Sequence, residues 1–319
     1  MIHVACAADE AYIPHAAAMM HSLLQLHAGS ETVLHLLHPP ALPDRLLAAL
    51  EAFVRGMGGE IRCHPVAAER VAGLPTMGRI SQVMWYRLFL PELLADASRV
   101  LYLDCDTLVV DSVQELWRTD LAGAWVAAVS NVFEPGRETR ARAVGLSDVR
   151  QYFNSGVLLI DLDAWRREDC AGRILALARD PAARLVWPDQ DALNTVLAGR
   201  WHALHPRWNC QNSLFFFRHA AEVFGAAQVA EATRCPGILH FEGGALAKPW
   251  HYLCKHPLRE RYRTHRAATP WPLLQTEGRT FGNRLLRPLP LSLLLPTLKF
   301  LHRAGAAVDR RIARILPSS

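Results

Sequence analysis

Apolar and polar positions switch between two periods along the first part of the chain. Ile2–Ala8 is a short apolar run, and Tyr12–His27 carries apolar side chains at helical spacing. Thr32–Leu37 is strand-like, Asp44–Met57 helical and Glu60–Val66 strand-like again. Ser81–Leu94 reads as a helix that delivers the chain to the apolar run Val100–Leu103. Further strands are predicted at Trp125–Ser130, Gly156–Leu162 and Ile238–Phe241, and a helix opens near Pro188 with Asp189 as its N-cap. This β-α-β-α order predicts an α/β fold, with a largely parallel sheet and helices on both faces. No internal repeat or low-complexity linker interrupts it.

The strand Val100–Leu103 ends on Asp104-Cys105-Asp106. Open α/β sheets place their ligand crevice at the carboxyl ends of strands. In an extended chain residues i and i+2 point to the same side, so the two carboxylates repel unless a cation or a shared proton intervenes. A divalent cation holding a phosphorylated substrate is the economical reading; a pair of solvated loop aspartates is the plain alternative.

Composition narrows the setting. The 319 residues, 51% of them hydrophobic, suffice for one large domain, or for one with an appendage. Seven scattered cysteines without a Cys-x-x-Cys pair argue against a disulfide framework and a zinc site, and for a reducing cytoplasm. The early acids Asp9 and Glu10 speak against a signal peptide, and no apolar run reaches the length of a membrane span. The net charge of +5 is uneven: residues 256–319 hold twelve basic against three acidic side chains. These two regions predict a body over 1–255 and a basic, apolar extension over 256–319. Arg284, Arg287, Lys299, Arg303, Arg310, Arg311 and Arg314 lie among leucines and prolines rather than stackable aromatics. That pattern predicts attachment of 275–319 to an anionic membrane surface and no nucleic-acid partner.

Four other stretches carry polar groups in suggestive places. Ala7-Ala8-Asp9-Glu10-Ala11-Tyr12 follows the first strand, where a helix-capping acid is the ordinary reading. Tyr152-Phe153-Asn154-Ser155-Gly156 places an amide and a glycine at a strand start, where a backbone can approach a ligand closely. Pro188-Asp189-Gln190-Asp191-Ala192-Leu193-Asn194 clusters polar groups at a helix N-terminus. Gly237-Ile238-Leu239-His240-Phe241-Glu242-Gly243-Gly244 ends an apolar strand on a histidine and is followed by Lys248-Pro249-Trp250.

In this order and spacing, the five stretches resemble the family 8 retaining glycosyltransferases. Within that family they are most similar to bacterial galactosyl- and glucosyltransferases that extend lipopolysaccharide cores. The resemblance spans roughly residues 1–255 and implies a GT-A (Rossmann-like) fold, a UDP-sugar donor and Mn2+, with Mg2+ as the alternative. It makes Asp104, Asp106 and His240 the metal ligands, a donor set suited to a borderline cation. It puts Asp9 at the uracil edge, Tyr12 on the base, and Lys248 and the Gly243 N–H on the diphosphate. Ala8 and Cys105 join this donor-binding set. Arg87, Asn131 and Asn154 fall around the donor sugar, and Asp189 and Gln190 line its reactive face as the catalytic candidates. Two positions depart from the family pattern: Ala11 where relatives often carry Asn, and Asn131 where relatives can carry an acid.

The reaction implied is transfer of a hexose, galactose or glucose, onto a hydroxyl of a glycan or glycolipid acceptor. It proceeds with retention, on the cytoplasmic face of the inner membrane. Two rivals stand beside it. Asp104-x-Asp106-Thr107 also fits the first motif of haloacid-dehalogenase-like phosphatases, but about a hundred residues precede it and no later acidic pair follows. A non-catalytic nucleotide-sugar-binding protein is disfavoured by the persistence of all three ligands.

Overall fold

The computed structural model describes residues 1–27, 32–77, 81–134, 136, 139–294 and 296–298. Seven strands form the main sheet: β1 (Ile2–Ala7), β2 (Thr32–His38), β3 (Glu60–Pro65), β4 (Arg99–Leu103), β6 (Val126–Ser130), β7 (Phe153–Asp161) and β8 (Trp201–Ala203). Their order is β3-β2-β1-β4-β7-β6-β8. The first four are mutually parallel, β7 runs antiparallel to both β4 and β6, and β8 is parallel to β6. A second sheet, in the order β5-β10-β9, joins β5 (Thr107–Val109), β9 (Cys210–Gln211) and β10 (Ile238–His240). The expected α/β architecture is therefore present, and the histidine strand lies in this small second sheet.

Two apolar layers sandwich the main sheet. One packs helix Ile13–Leu26 and helix Asp44–Gly56 against Val4, Leu34, Leu101 and Leu159; the other sets Trp85, Leu90, Trp165 and Leu193 against Tyr102, Leu158 and Ile160. Strands buried on both faces show continuous apolar runs rather than alternation, as β4 and β7 do.

Two local expectations are corrected. Ser81–Leu94 is not one α-helix: Gln82–Phe89 is 3-10, and only Leu90–Leu93 is α. Pro91 has no N–H to give the Arg87 carbonyl, so an α-helix cannot run through it intact. Asp189 is not the N-cap of helix Pro188–Val196; Trp187 is, with no capping side chain. Asp191 instead accepts the N–H groups of Val186 and Trp187, at 2.7 and 2.9 Å.

The chain leaves β1 toward β2 and β3, then returns to place β4 on the other side of β1. The reversal opens a crevice at the carboxyl ends of β1 and β4, the general ligand position in such sheets. Beyond the body, helix Arg259–Ala267 packs on helix Ile13–Leu26, where Tyr262 is fully buried and its hydroxyl lies 2.5 Å from His15 Nδ1. Of the basic extension, Lys299 and everything after it lie outside the described residues. No helix among the described residues is long and apolar enough to cross a membrane.

Candidate active site

Asp104, Cys105 and Asp106 form a turn between β4 and β5, not an extended strand: the Thr107 N–H reaches back to the Asp104 carbonyl at 3.1 Å. The two carboxylates converge through that turn. β5 pairs antiparallel with β10, which sets His240 opposite Thr107 and brings its ring onto both acids. His240 Nε2 lies 3.2 Å from Asp106 Oδ1 and 4.0 Å from Asp104 Oδ2. One ligand atom from each of the three residues lies within 4.8 Å of the others.

Gly156 makes room for this cluster. A Cβ at that position would fall 2.2 Å from His240 Cε1 and 2.9 Å from Asp104 Oδ2. The glycine in the strand thus marks a close approach, here by the ligand side chains themselves.

Arg87 ties the cluster to the second acidic position. Its Nη2 is 3.1 Å from Asp104 Oδ1 and 3.2 Å from Asp189 Oδ2, while Nε donates to the Met84 carbonyl and Nη1 to that of Ser155. The guanidinium also stacks on Tyr102, 4.3 Å from its centroid. Asp189 titrates above the ordinary carboxylate range: burial raises it, Arg87 offsets part of that, and Asp104 adds to it. For Asp106 burial acts upward too, but Lys248 and His240 outweigh it and hold the carboxyl low. For His240 burial favours the neutral ring, yet Asp106 and Asp104 prevail and raise its pKa.

The remaining predicted residues fall as follows. Lys248 forms an ion pair with Asp106. Ala8 is buried at the end of β1, and the Cys105 thiol donates to the Ala7 carbonyl at 3.1 Å, fastening the aspartate turn to β1. Asp9 accepts the Ser81 hydroxyl at 2.8 Å and the Tyr12 N–H at 3.2 Å. Tyr12 is partly exposed, with its ring 5.2 Å from that of His15. Gly243 turns the chain after His240 with φ at +87°. Asn131 and Asn154 are joined by a 3.2 Å hydrogen bond, and Gln190 Oε1 accepts the Ser155 N–H at 2.9 Å.

Sequence reasoning missed two groups. Asp191 is fully buried and, besides its two backbone donors, accepts the Tyr152 hydroxyl at 2.7 Å and a two-pronged contact from Arg140. Asn209 is fully buried and joins His240 to Asn154. The polar run Asn209-Cys210-Gln211-Asn212-Ser213 is the signal that was available: it is buried, and Asn209, Gln211 and the Asn212 NH2 make hydrogen bonds there, while Asn212 Oδ1 and Ser213 Oγ have none among the described residues.

Two carboxylates and an imidazole suit a divalent cation of the manganese class, and the crowding over Gly156 holds their ligand atoms together.

Comparison with known proteins agrees. Residues 3–254 match the profile of glycosyl transferase family 8. General stress protein A of Bacillus subtilis is 32% identical over 85% of this chain and 95% of its own length. The lipopolysaccharide 1,3-galactosyltransferase of Salmonella typhimurium is 27% identical over 69% of this chain and 65% of its own. The crystal structure of the galactosyltransferase LgtC, in complex with donor and acceptor sugar analogues, superposes with a TM-score of 0.75 at 32% identity. That match covers 84% of this chain and 96% of that one. The phosphatase alternative falls with this result. By profile, by sequence and by its mixed α/β sheet, the chain belongs to glycosyltransferase family 8 and is a glycosyltransferase of the GT-A fold.

Proposed function

We propose that the protein transfers a hexose, galactose or glucose, from a UDP-sugar to a glycan hydroxyl with retention of configuration, using Mn2+. The acceptor in this reading is a lipopolysaccharide core on the cytoplasmic face of the inner membrane, reached through attachment of residues 275–319 to anionic lipid. The observation that carries it is the convergence of Asp104, Asp106 and His240 within 4.8 Å at the crevice, with Asp189 bound to the same arginine nitrogen as Asp104. The relatives named as lipopolysaccharide galactosyl- and glucosyltransferases support the sugar and acceptor classes.

Asp104, Asp106 and His240 would hold the cation, which when bound would supply Lewis-acid neutralisation of charge on a departing diphosphate. Lys248, beside Asp106, adds a second positive charge at the same place. Asp9 and Tyr12 serve the nucleotide, and Asn131 and Asn154 the donor sugar. Asp189 and Gln190 stand at the reactive face. Arg87 keeps Asp189 fixed, and Ser155 keeps Gln190 fixed. The transition state is oxocarbenium-like, so charge stabilisation is the main demand on the site. In the route we favour, the acceptor attacks from the face the diphosphate leaves, and the leaving phosphate takes the acceptor proton.

The deciding experiment is a panel of UDP-sugars assayed for transfer and hydrolysis with and without Mn2+. Turnover of one UDP-hexose that requires the metal supports the reading. Metal-independent turnover, or no release of UDP from any of them, defeats it.

A further inference from the structure

Four buried side chains form a hydrogen-bonded file that starts at the metal cluster and ends at Asn131. His240 Nδ1 lies 2.9 Å from Asn209 Oδ1, Asn209 Nδ2 lies 2.9 Å from Asn154 Oδ1, and Asn154 Nδ2 lies 3.2 Å from Asn131 Oδ1. The direction of the file follows from one backbone group. The Gly156 N–H, which can only donate, points at Asn154 Oδ1 from 3.0 Å. That contact fixes which end of the Asn154 amide is oxygen. The Asn209 atom facing the same oxygen must then be its NH2. The Asn209 atom facing His240 must be its carbonyl oxygen, which can only accept. His240 Nδ1 must therefore carry a proton, which leaves Nε2, on the side of Asp104 and Asp106, as the one ring nitrogen able to offer a lone pair to a cation.

We infer that Asn209 is a positioning residue for the metal centre: it holds His240 in the Nδ1–H tautomer, so that Nε2 is always presented to the cation. A metal-ligating histidine needs such a partner on its other nitrogen, and losing the partner costs about 10–100-fold in metal affinity. Asn209 is fully buried, which gives water no route to replace it. The same file ends at Asn131. There Asn131 Oδ1 accepts from Asn154 Nδ2 at 3.2 Å. The inference rests on Asp104, Asp106 and His240 being the metal ligands.

The test measures Mn2+ binding to the full-length protein by the loss of the free-ion EPR signal, without any turnover. Asn209→Leu should weaken Mn2+ binding about 10–100-fold, and Asn209→Asp, whose carboxyl when protonated keeps an acceptor against Nδ1 and an O–H donor toward Asn154 Oδ1, should retain clearly more of it than the leucine variant. Long-range nitrogen–proton NMR on histidine-labelled, Mg2+-loaded protein, with His240 assigned from His240→Ala, should place the proton on Nδ1. A proton found on Nε2 overturns the inference. So does Mn2+ binding by Asn209→Leu that equals the unmodified protein's, or an equal loss in both variants, which would mark a packing defect. If the unmodified protein itself binds no Mn2+, the metal reading fails and this inference falls with it.

Discussion

Gly156 and His240 occupy a space that holds one side chain. A carbon added to the glycine would sit 2.2 Å from Cε1 of the imidazole. The imidazole is also fixed from behind by Asn209, at 2.9 Å. It has nowhere to retreat except out of the ligand cluster. Gly156→Ala should therefore act on chemistry more than on stability. Overpacking at one methyl costs about 1–3 kcal/mol, whereas displacing a ligand removes the main stabiliser of the leaving group. The expected result is a folded protein with metal-dependent transfer reduced at least ~100-fold, read from steady-state kinetics and a melting curve. Near-normal kinetics would mean that the cluster can relax around the methyl.

Asp104→Asn and Asp106→Asn should each abolish transfer while leaving the fold intact, since a neutral amide is a poor ligand for a hard cation. His240→Ala removes a neutral ligand and should be milder. Chelation should silence the unmodified enzyme, and Mn2+ should restore it. Near-normal turnover in Asp106→Asn at saturating UDP-sugar would remove the metal assignment.

Asp189 separates two routes to retention. If it is an obligate nucleophile, Asp189→Asn should be inactive and rescued by azide as a glycosyl azide, and the unmodified protein should give a glycosyl-enzyme detectable by mass spectrometry. In the front-face route the variant is impaired without rescue. The second result is expected, because Asp189 is held in an ion pair with Arg87 at 3.2 Å, which ties up the carboxylate oxygen that would have to attack. A trapped adduct on Asp189 would reverse this.

Much of the fold is legible because strands buried on both faces are predominantly apolar: β1, β2, β4 and the Val157–Ile160 part of β7 stand out, although His3, His35 and His38 interrupt the first two. β5, β8 and β9 are three residues or fewer and have no period to detect. The metal cluster is visible because its aspartates adjoin a strong strand and its histidine ends another. What joins them is not visible. Arg87, Asp104 and Asp189 meet through the fold and lie in three unconnected motifs. Asp189 misread as a cap illustrates the limit: helix-start chemistry is local, but Arg87 claims the carboxylate from about a hundred residues earlier in the chain and Asp191 takes over the N–H groups of Val186 and Trp187.

A histidine file crosses the first three strands. His35 is buried between His3 and His64, with a 3.0 Å hydrogen bond to each. Burial, then His64 and His3, hold the His35 imidazole down at about 3. An unfolded chain binds a proton there near the ordinary value of about 6.5, and the native state does so only near 3. Between these values the unfolded state carries more protons, so native stability falls as pH falls, by up to roughly 1.4 kcal/mol per pH unit for this one group. Above the ordinary value His35 contributes no slope. Denaturant midpoints measured from pH 8 to 4 should show that decline, to which the buried His15 and His256 and the half-buried His265 also contribute, and His35→Gln should make it shallower. An unchanged slope in the variant would assign the acid sensitivity elsewhere.

The final prediction concerns the extension. Leu274, Phe281, Leu285 and Leu293 are exposed by more than half, an unusual density of bare apolar side chains in so short a stretch. Phe281 and Leu285 are one helical turn apart on helix Phe281–Leu286, so they share a face, with Arg284 on the same helix. Arg287 lies 4.3 Å from the Tyr252 ring and Lys255 donates to its carbonyl, which anchors this segment to the body. Exposed apolar side chains beside arginines suit the interface of an anionic membrane, where each basic group contributes on the order of 1 kcal/mol. Because Phe281 and Leu285 are exposed, replacing both with serine removes the inserting groups without opening the core. The double variant should lose at least about tenfold in co-sedimentation with anionic vesicles, and binding by the unmodified protein should weaken steeply with salt. Transfer to a soluble acceptor should not change. Deleting 275–319 should abolish the binding. Binding that survives the deletion or ignores salt would show that the extension has no membrane role, leaving its arginines as a solvated surface of the catalytic body.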